Sequence, residues 1–420
     1  NKYGLVSPEE LADLEAHEKN IDIERILEIE LETKHDVFAA IKEFGEHAKI
    51  GGGKIHLGAT SVDILDNTEA LRYKEGLSLL RNKLHMLLGL FAEKIEQYAH
   101  TPCIGYTHLQ PAEPTTIGYR FAFYAQDLLD NVSLLEYVYA NTKGKGMKGA
   151  VGTAASYELL LKDLPENAQD LESEVMNLLD LKAVLISTQI APRQQDYLIM
   201  SLLSEIASTF AKFAGDLRIL QSPNYGEWSE PFGKKQVGSS AMPFKRNPIS
   251  SEKVCSLARM VSQMPAALLE NASLSYLERT LDDSANKRVI VPEGFLAVDE
   301  ILNTSTKLLK GMHIHEEKIA FNLRQYAPFA ATEGVMMECS RKGASRQEMH
   351  ELLRELSMEA WQEVQNGRKN TLPGLLLTNE TILKHISKDD IVRLLEVHNH
   401  IGNAPERALQ LVTKIKTIIS

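Results

Sequence analysis

DYLIMSLLSEIASTFAKFAGDLRIL, residues 196–220, decides the fold class. The stretch contains no proline, and its apolar residues recur at helical spacing: Leu198, Leu202, Ile206, Phe210, Phe213 and Leu217. Others fall on the remaining faces, so apolar side chains surround much of the helix. A helix of that kind is enclosed by other helices, from its own chain or from partner subunits. Working outward, IGYRFAFYAQDLLDNVSLLEYVYA at 117–140 repeats the pattern. Segments 252–275 and 293–311 read as two more long helices, the first bent at Pro265. Period-two alternation is almost absent, so any sheet is minor and the fold class is all-α.

The chain has 420 residues, enough for two or three domains. Apolar residues make up 44% and charged residues 25%, the balance of a globular protein. A net charge of -11 argues against a dedicated nucleic-acid partner, because no excess of Lys and Arg exists to displace counterions from phosphates. Cys103, Cys255 and Cys339 have neither disulfide-scaffold nor zinc spacing, which points to a reducing compartment and the cytoplasm. No run of 18 or more apolar residues and no signal peptide are visible, so no membrane association is expected.

Gly-rich and polar stretches at 51–61, 143–156 and 222–251 interrupt the helices, and such segments tend to carry function. The most informative is GSSAMPFKRNPISSE at 238–252. Gly238 and two prolines restrict its backbone, while Ser239, Ser240, Lys245 and Asn247 supply a nucleophile or base, a cation and an amide. A Lys and an Asn two residues apart can grip a carboxylate whose charge grows as the neighbouring carbon loses a proton. A polar surface loop would have the same composition. GYTHLQPAEPTT at 105–116 holds His108 ahead of two prolines that fix the turn, and a lone loop histidine is more often structural than catalytic. GGGKIHLGATS at 51–61 and His35–Asp36 complete the candidates.

Other motifs fail on context. Gly144, Gly146 and Gly149 spell G-x-G-x-x-G, but the preceding segment reads as helix and no βαβ unit surrounds it. Gly51–Lys54 lacks the Ser or Thr that a P-loop places after its lysine. His313/His315 and His398/His400 lack further metal ligands, so no metal and no cofactor are expected.

The blocks KHDV at 34–37, HLGATSVDILDN at 56–67, THLQPAEPTT at 107–116, GSSAMPFKRNPISSEKV at 238–254 and ERTLDDSANKR at 278–288 resemble the fumarase/aspartase superfamily. Within it they are similar to the adenylosuccinate lyases, on the branch that includes animal enzymes. The resemblance implies an N-terminal helical domain over 1–60, a central long-helix domain over 61–314 forming a homotetramer core, and a C-terminal helical domain over 315–420. It also implies active sites composed from several subunits. An Arg–Tyr phosphate-binding pair is expected from a segment before Asn1, and Tyr3, preceded by Lys2, is not its counterpart.

The implied reaction is β-elimination of fumarate from a succinylated purine nucleotide or its ribotide precursor. Ser239 matches the family's base, Lys245 and Asn247 its carboxylate clamp, and His108 its general acid. Glu252 matches the carboxylate paired with that histidine, and His35, beside Asp36, could assist the acid step. Thr60, Ser61 and Thr107 match carboxylate-binding positions, Gln189 a base or ribose contact, and Arg279, Ser284 and Arg288 nucleotide contacts. Lys253 stands where this branch usually has Arg, which keeps the charge and loses the bidentate fork. A sister lyase acting on argininosuccinate, aspartate or malate, an inactive relative used for binding, and a dinucleotide-dependent oxidoreductase are the alternatives. The intact Ser, Lys, Asn, His and Glu set opposes the second, and the missing parallel sheet opposes the third.

Overall fold

A computed structural model describes residues 1–419. Helix accounts for 67% of it, and the remaining regular structure is two small antiparallel ribbons, so the all-α expectation holds. One ribbon pairs Pro102–Thr107 with Gln110–Thr116, the other Trp228–Ser229 with His313–Ile314. The segment that opened the sequence analysis is helical over Gln194–Gln221. It is long and apolar enough to cross a membrane, yet Ile206, Phe210, Phe213 and Leu217 are all fully buried in the protein, as in a core helix.

The chain divides into two compact units, each gathered from three stretches. The first comprises 1–79, 135–202 and 263–294; the second comprises 80–134, 203–262 and 295–420. Helices Ser61–Tyr98, Ile117–Asn141, Gln194–Gln221 and Ser284–Gly311 contribute residues to both.

In the first unit, helices Ile23–Thr33 and Asp36–His47 pack together, and Ala70, Met176 and Leu181 form part of the core. The bend expected at Pro265 is a break. One helix ends at Val261, and Pro265 sits at the start of the next, Met264–Leu274, where its missing N–H costs nothing. The helix expected from 293 begins earlier, at Ser284, and continues through Pro292. Its first turns are held by buried polar contacts. Lys287 reaches Glu69 and Asp196, and the side-chain amides of Asn286 and Asn271 bond each other.

The second unit has an aromatic core. Phe91 and Tyr124 meet the Phe213 ring edge-on at 5.6 and 5.5 Å, and Phe121 stacks on Trp228 at 4.7 Å. Helix Glu316–Arg341 packs against the 102–116 ribbon. Beyond it, Met349, Leu353, Leu372, Leu376 and Ile391 bury a further cluster among a 20-residue helix capped by Ser345 and short helices capped by Asn379 and Ser387.

Candidate functional site

In the first unit the expected residues gather around one helix start. Lys34 ends a helix in the left-handed conformation, and His35 then caps the next, its Nδ1 accepting the Phe38 N–H at 3.3 Å. That bond leaves the proton of a neutral ring on Nε2, which lies 3.4 Å from Ser61 Oγ. Ser61 opens helix Ser61–Tyr98, and the start of a helix suits a carboxylate or phosphate. Gln189 Nε2 donates to Thr60 Oγ1 at 3.4 Å. His35, Thr60, Ser61 and Gln189 are thus brought together as two bonded pairs at consecutive residues.

Asp63 fixes that helix start. Its fully buried carboxylate accepts Lys145 Nζ at 2.6 Å, the N–H groups of Thr60, Lys148 and Gly149, and the Tyr157 hydroxyl. The G-x-G-x-x-G stretch is therefore a structural loop wrapped on this helix. A Cβ on Gly144 would lie 2.3 Å from Asn67 Oδ1, and Gly146 has φ +89°.

The nucleotide-contact candidates are tethered nearby. Asp36 pairs with Arg288 at 3.3 Å, and both are solvent-exposed. Arg279 faces Asp283 at 3.8 Å, Asp283 accepts Arg193 Nε at 2.8 Å, and Arg193 also bonds Asp66 at 3.0 Å. Ser284 begins the helix that carries Arg288.

The second unit carries the other set. Thr107 and His108 lie at the exposed tip of the 102–116 ribbon. The two-residue connection, His108 and Leu109, has φ of +53° and +61°, a turn geometry that favours Asn-Gly. Below the tip, Glu227 is fully buried. It accepts the Tyr106 hydroxyl at 2.7 Å, Arg120 at 3.1 Å and Asn322 at 2.9 Å. Burial first, and then this carboxylate, push the Tyr106 phenol well above its ordinary range.

The 238–248 loop is cross-braced. Asn247 Nδ2 donates to the Gly238 carbonyl at 2.9 Å, and Ser239 Oγ accepts the Met242 N–H at 3.1 Å. A Cβ on Gly238 would lie 2.2 Å from the Lys245 carbonyl oxygen, so only glycine fits. Among the described residues the ammonium of Lys245 meets no carboxylate, and no bond joins His108 to Glu252 within the chain. Glu252 stands exposed in the first turn of helix Ile249–Val261. Lys253 pairs with Glu300 at 2.6 Å; its hydrogen bond holds the Glu300 carboxyl below the ordinary range.

Glu227, Glu230, Tyr225, Asp63 and Arg193 escaped the sequence reading. Glu230 binds the first-turn N–H groups of Ser250 and Ser251 at 3.2 and 2.6 Å, capping the helix that bears Glu252. The one signal available was acidic residues flanking Trp228 in YGEWSE, a loop next to a core helix.

By family the chain is a helical lyase. A family described as "Lyase" matches residues 11–262, and one described as "Adenylosuccinate lyase C-terminus" matches 328–409. The adenylosuccinate lyase of Pyrococcus abyssi is 39% identical over 413 residues, 97% of this chain and 88% of that protein. That of Archaeoglobus fulgidus is 35% identical over 418 residues, 100% of this chain and 91% of that protein. The chain belongs to the adenylosuccinate lyase family. A solved structure of 3-carboxy-cis,cis-muconate lactonizing enzyme from Pseudomonas putida superposes with a TM-score of 0.87 at 22% identity, covering 100% of this chain and 92% of that one. That likeness speaks to fold alone.

Proposed function

We propose that this chain cleaves adenylosuccinate to AMP and fumarate, and performs the same elimination on the succinylated aminoimidazole carboxamide ribotide of purine biosynthesis. The observation that carries this reading is the 238–248 loop. Its backbone is braced by Asn247 and by the Ser239–Met242 turn, while Lys245 stays exposed and uncommitted to any carboxylate among the described residues.

Ser239 takes the proton from the carbon beside the remote carboxylate. The electron pair forms the carbon–carbon double bond of fumarate as the C–N bond breaks. A serine hydroxyl is a weak base near neutral pH, so positive charge from Lys245 lowers the cost of its ionised form. Lys245 and Asn247 also bind the carboxylate that gains charge as the proton leaves. His108 protonates the departing nitrogen, with Glu252 as its ionic partner and His35 in support. Thr60, Ser61 and Thr107 hold succinyl carboxylates. Gln189 contacts base or ribose, and Asp36, Arg279, Ser284, Arg288 and Lys253 bind the nucleotide.

The working form is a homotetramer with composite sites in the cytoplasm. Large apolar side chains support assembly, since Phe123, Leu198 and Leu296 stand 49–64% exposed on long helices. Three free thiols suit a reducing compartment.

Cleavage of adenylosuccinate, followed by absorbance, tests the activity; argininosuccinate cleavage in its absence assigns a sister lyase instead. Ser239→Ala should lower turnover by several orders of magnitude with substrate binding largely kept, and near-normal turnover removes it as base. Mixed tetramers of Ser239→Ala and His108→Ala subunits should recover part of the activity. No recovery, with mixing confirmed by mass spectrometry, means that one chain supplies both groups.

A further inference from the structure

Two consecutive non-glycine residues hold positive φ at the tip of the 102–116 ribbon, and one of them is His108. His and Leu there adopt a backbone that glycine takes freely and side chains resist. Such strain persists only where neighbouring structure over-determines it. Within this chain burial does not hold the tip, because His108 is exposed and Leu109 is 56% exposed. A cavity of about 320 Å³, lined in part by His108, Leu109, Tyr225, Lys212 and Asp216, lies beside it and leaves room for other turn conformations.

One bond spans that space. The Tyr225 hydroxyl donates to the Leu109 carbonyl at 2.6 Å. Tyr225 is itself fixed at three points. Its carbonyl accepts Asn322 Nδ2 at 3.0 Å, and its N–H donates to the Ser222 carbonyl at 3.1 Å. Its ring meets the Tyr106 ring edge-on at 4.8 Å. Asn322 and Tyr106 both end on Glu227, whose third partner, Arg120, also holds the Ile104 carbonyl at 2.6 Å. The hydroxyl therefore ties the turn to the buried frame under the ribbon.

We propose that Tyr225 is a positioning residue for His108, its hydroxyl holding the left-handed turn that aims the imidazole at the departing nitrogen. This rests on the reading of His108 as the proton donor. Tyr225→Phe keeps the ring and its contact with Tyr106 and removes only the hydroxyl. Turnover should fall about tenfold, the loss of one well-aligned hydrogen bond to a catalytic element. KM should stay within about twofold, since substrate binding is untouched. The solvent deuterium isotope effect on kcat should rise as proton donation becomes more limiting. Leu109→Gly, which removes the strain at the second turn position, should restore at least half of the lost turnover when added to Tyr225→Phe. Turnover of Tyr225→Phe within twofold of the parent, or a loss that Leu109→Gly does not repair, overturns the proposal. His108→Ala is assayed alongside. If it turns over normally, the donor assignment fails; if it is inactive while Tyr225→Phe is normal, only the role of Tyr225 falls.

Discussion

Replacing Lys145 by methionine, and separately Asp63 by leucine, tests how the start of the Ser61 helix is held. The pair is fully buried, but its members depend on each other unequally. Without the ammonium, Asp63 keeps four donors: the N–H groups of Thr60, Lys148 and Gly149 at 3.1, 3.2 and 3.0 Å, and the Tyr157 hydroxyl at 3.0 Å. Without the carboxylate, Lys145 Nζ keeps one acceptor among the described residues, the Gly149 carbonyl at 2.9 Å. Breaking a buried pair costs ~3–5 kcal/mol. Lys145→Met belongs at the lower end, about 3 kcal/mol, because four donors still solvate the remaining charge. At ~2–4 °C per kcal/mol for a body of this size, Tm should fall by roughly 6–12 °C. Asp63→Leu strands an ammonium and also orphans four donors at ~1–3 kcal/mol each. The total reaches the ~5–15 kcal/mol of an ordinary domain's stability, so this variant should be recovered unfolded or not at all. The assay is thermal unfolding by circular dichroism at one protein concentration, because association shifts Tm. Equal losses in the two variants, or a Lys145→Met loss under about 1 kcal/mol, would refute the reasoning.

Glu230→Ala removes the acceptor for two N–H groups at the start of the Glu252 helix. It should cost about 1–2 kcal/mol and speed tryptic cleavage at Lys245 or Arg246 several-fold; an unchanged cleavage rate would show that the loop base is held elsewhere. Burial pushes the Cys103 thiol up to about 11, so at pH 8 it should resist iodoacetamide in the folded protein. Mass-spectrometric detection of prompt Cys103 alkylation would contradict that burial. Glu300→Gln frees Lys253 from an exposed partner and should change stability by well under 1 kcal/mol. If Lys253 binds the nucleotide, KM should fall; an unaltered KM confines Lys253 to the surface pair.

The helices were legible because their signal is local. The 194–221 helix differs from the 196–220 reading by a frayed residue or two at each end. The 102–116 ribbon was not legible as strand. Pro111 and Pro114 argue against a central strand, yet in a two-stranded ribbon every strand is an edge and tolerates them. Pattern also missed the Ser284 start of its helix, since the turns before Pro292 owe their place to Lys287 finding Glu69 and Asp196 far away in sequence and to Asn286 meeting Asn271 of the preceding helix.

The candidate site shows the same division. Ser239, Lys245 and Asn247 share one short loop, so a linear motif captures them. Glu227 draws its partners from residues 106, 120 and 322, a convergence that no spacing rule announces. His35 was visible as a histidine beside an aspartate. Its service as a helix cap, which selects the tautomer facing Ser61, needed the backbone.

The Phe121–Trp228 stack has a spectroscopic consequence. The chain has two tryptophans, and Trp228 is fully buried against Phe121 at an interplanar angle of 7°, with the Arg120 guanidinium 5.6 Å from its ring. The other, Trp361, sits among Tyr326 and Phe329 in the C-terminal cluster. A Trp361→Phe variant would leave one indole, immediately beside Glu227, as a built-in fluorophore. Its emission would be blue-shifted and sensitive to any movement of that carboxylate or of Arg120. Rearrangement beneath the His108 turn during a catalytic cycle could then be followed by stopped-flow fluorescence with no attached dye.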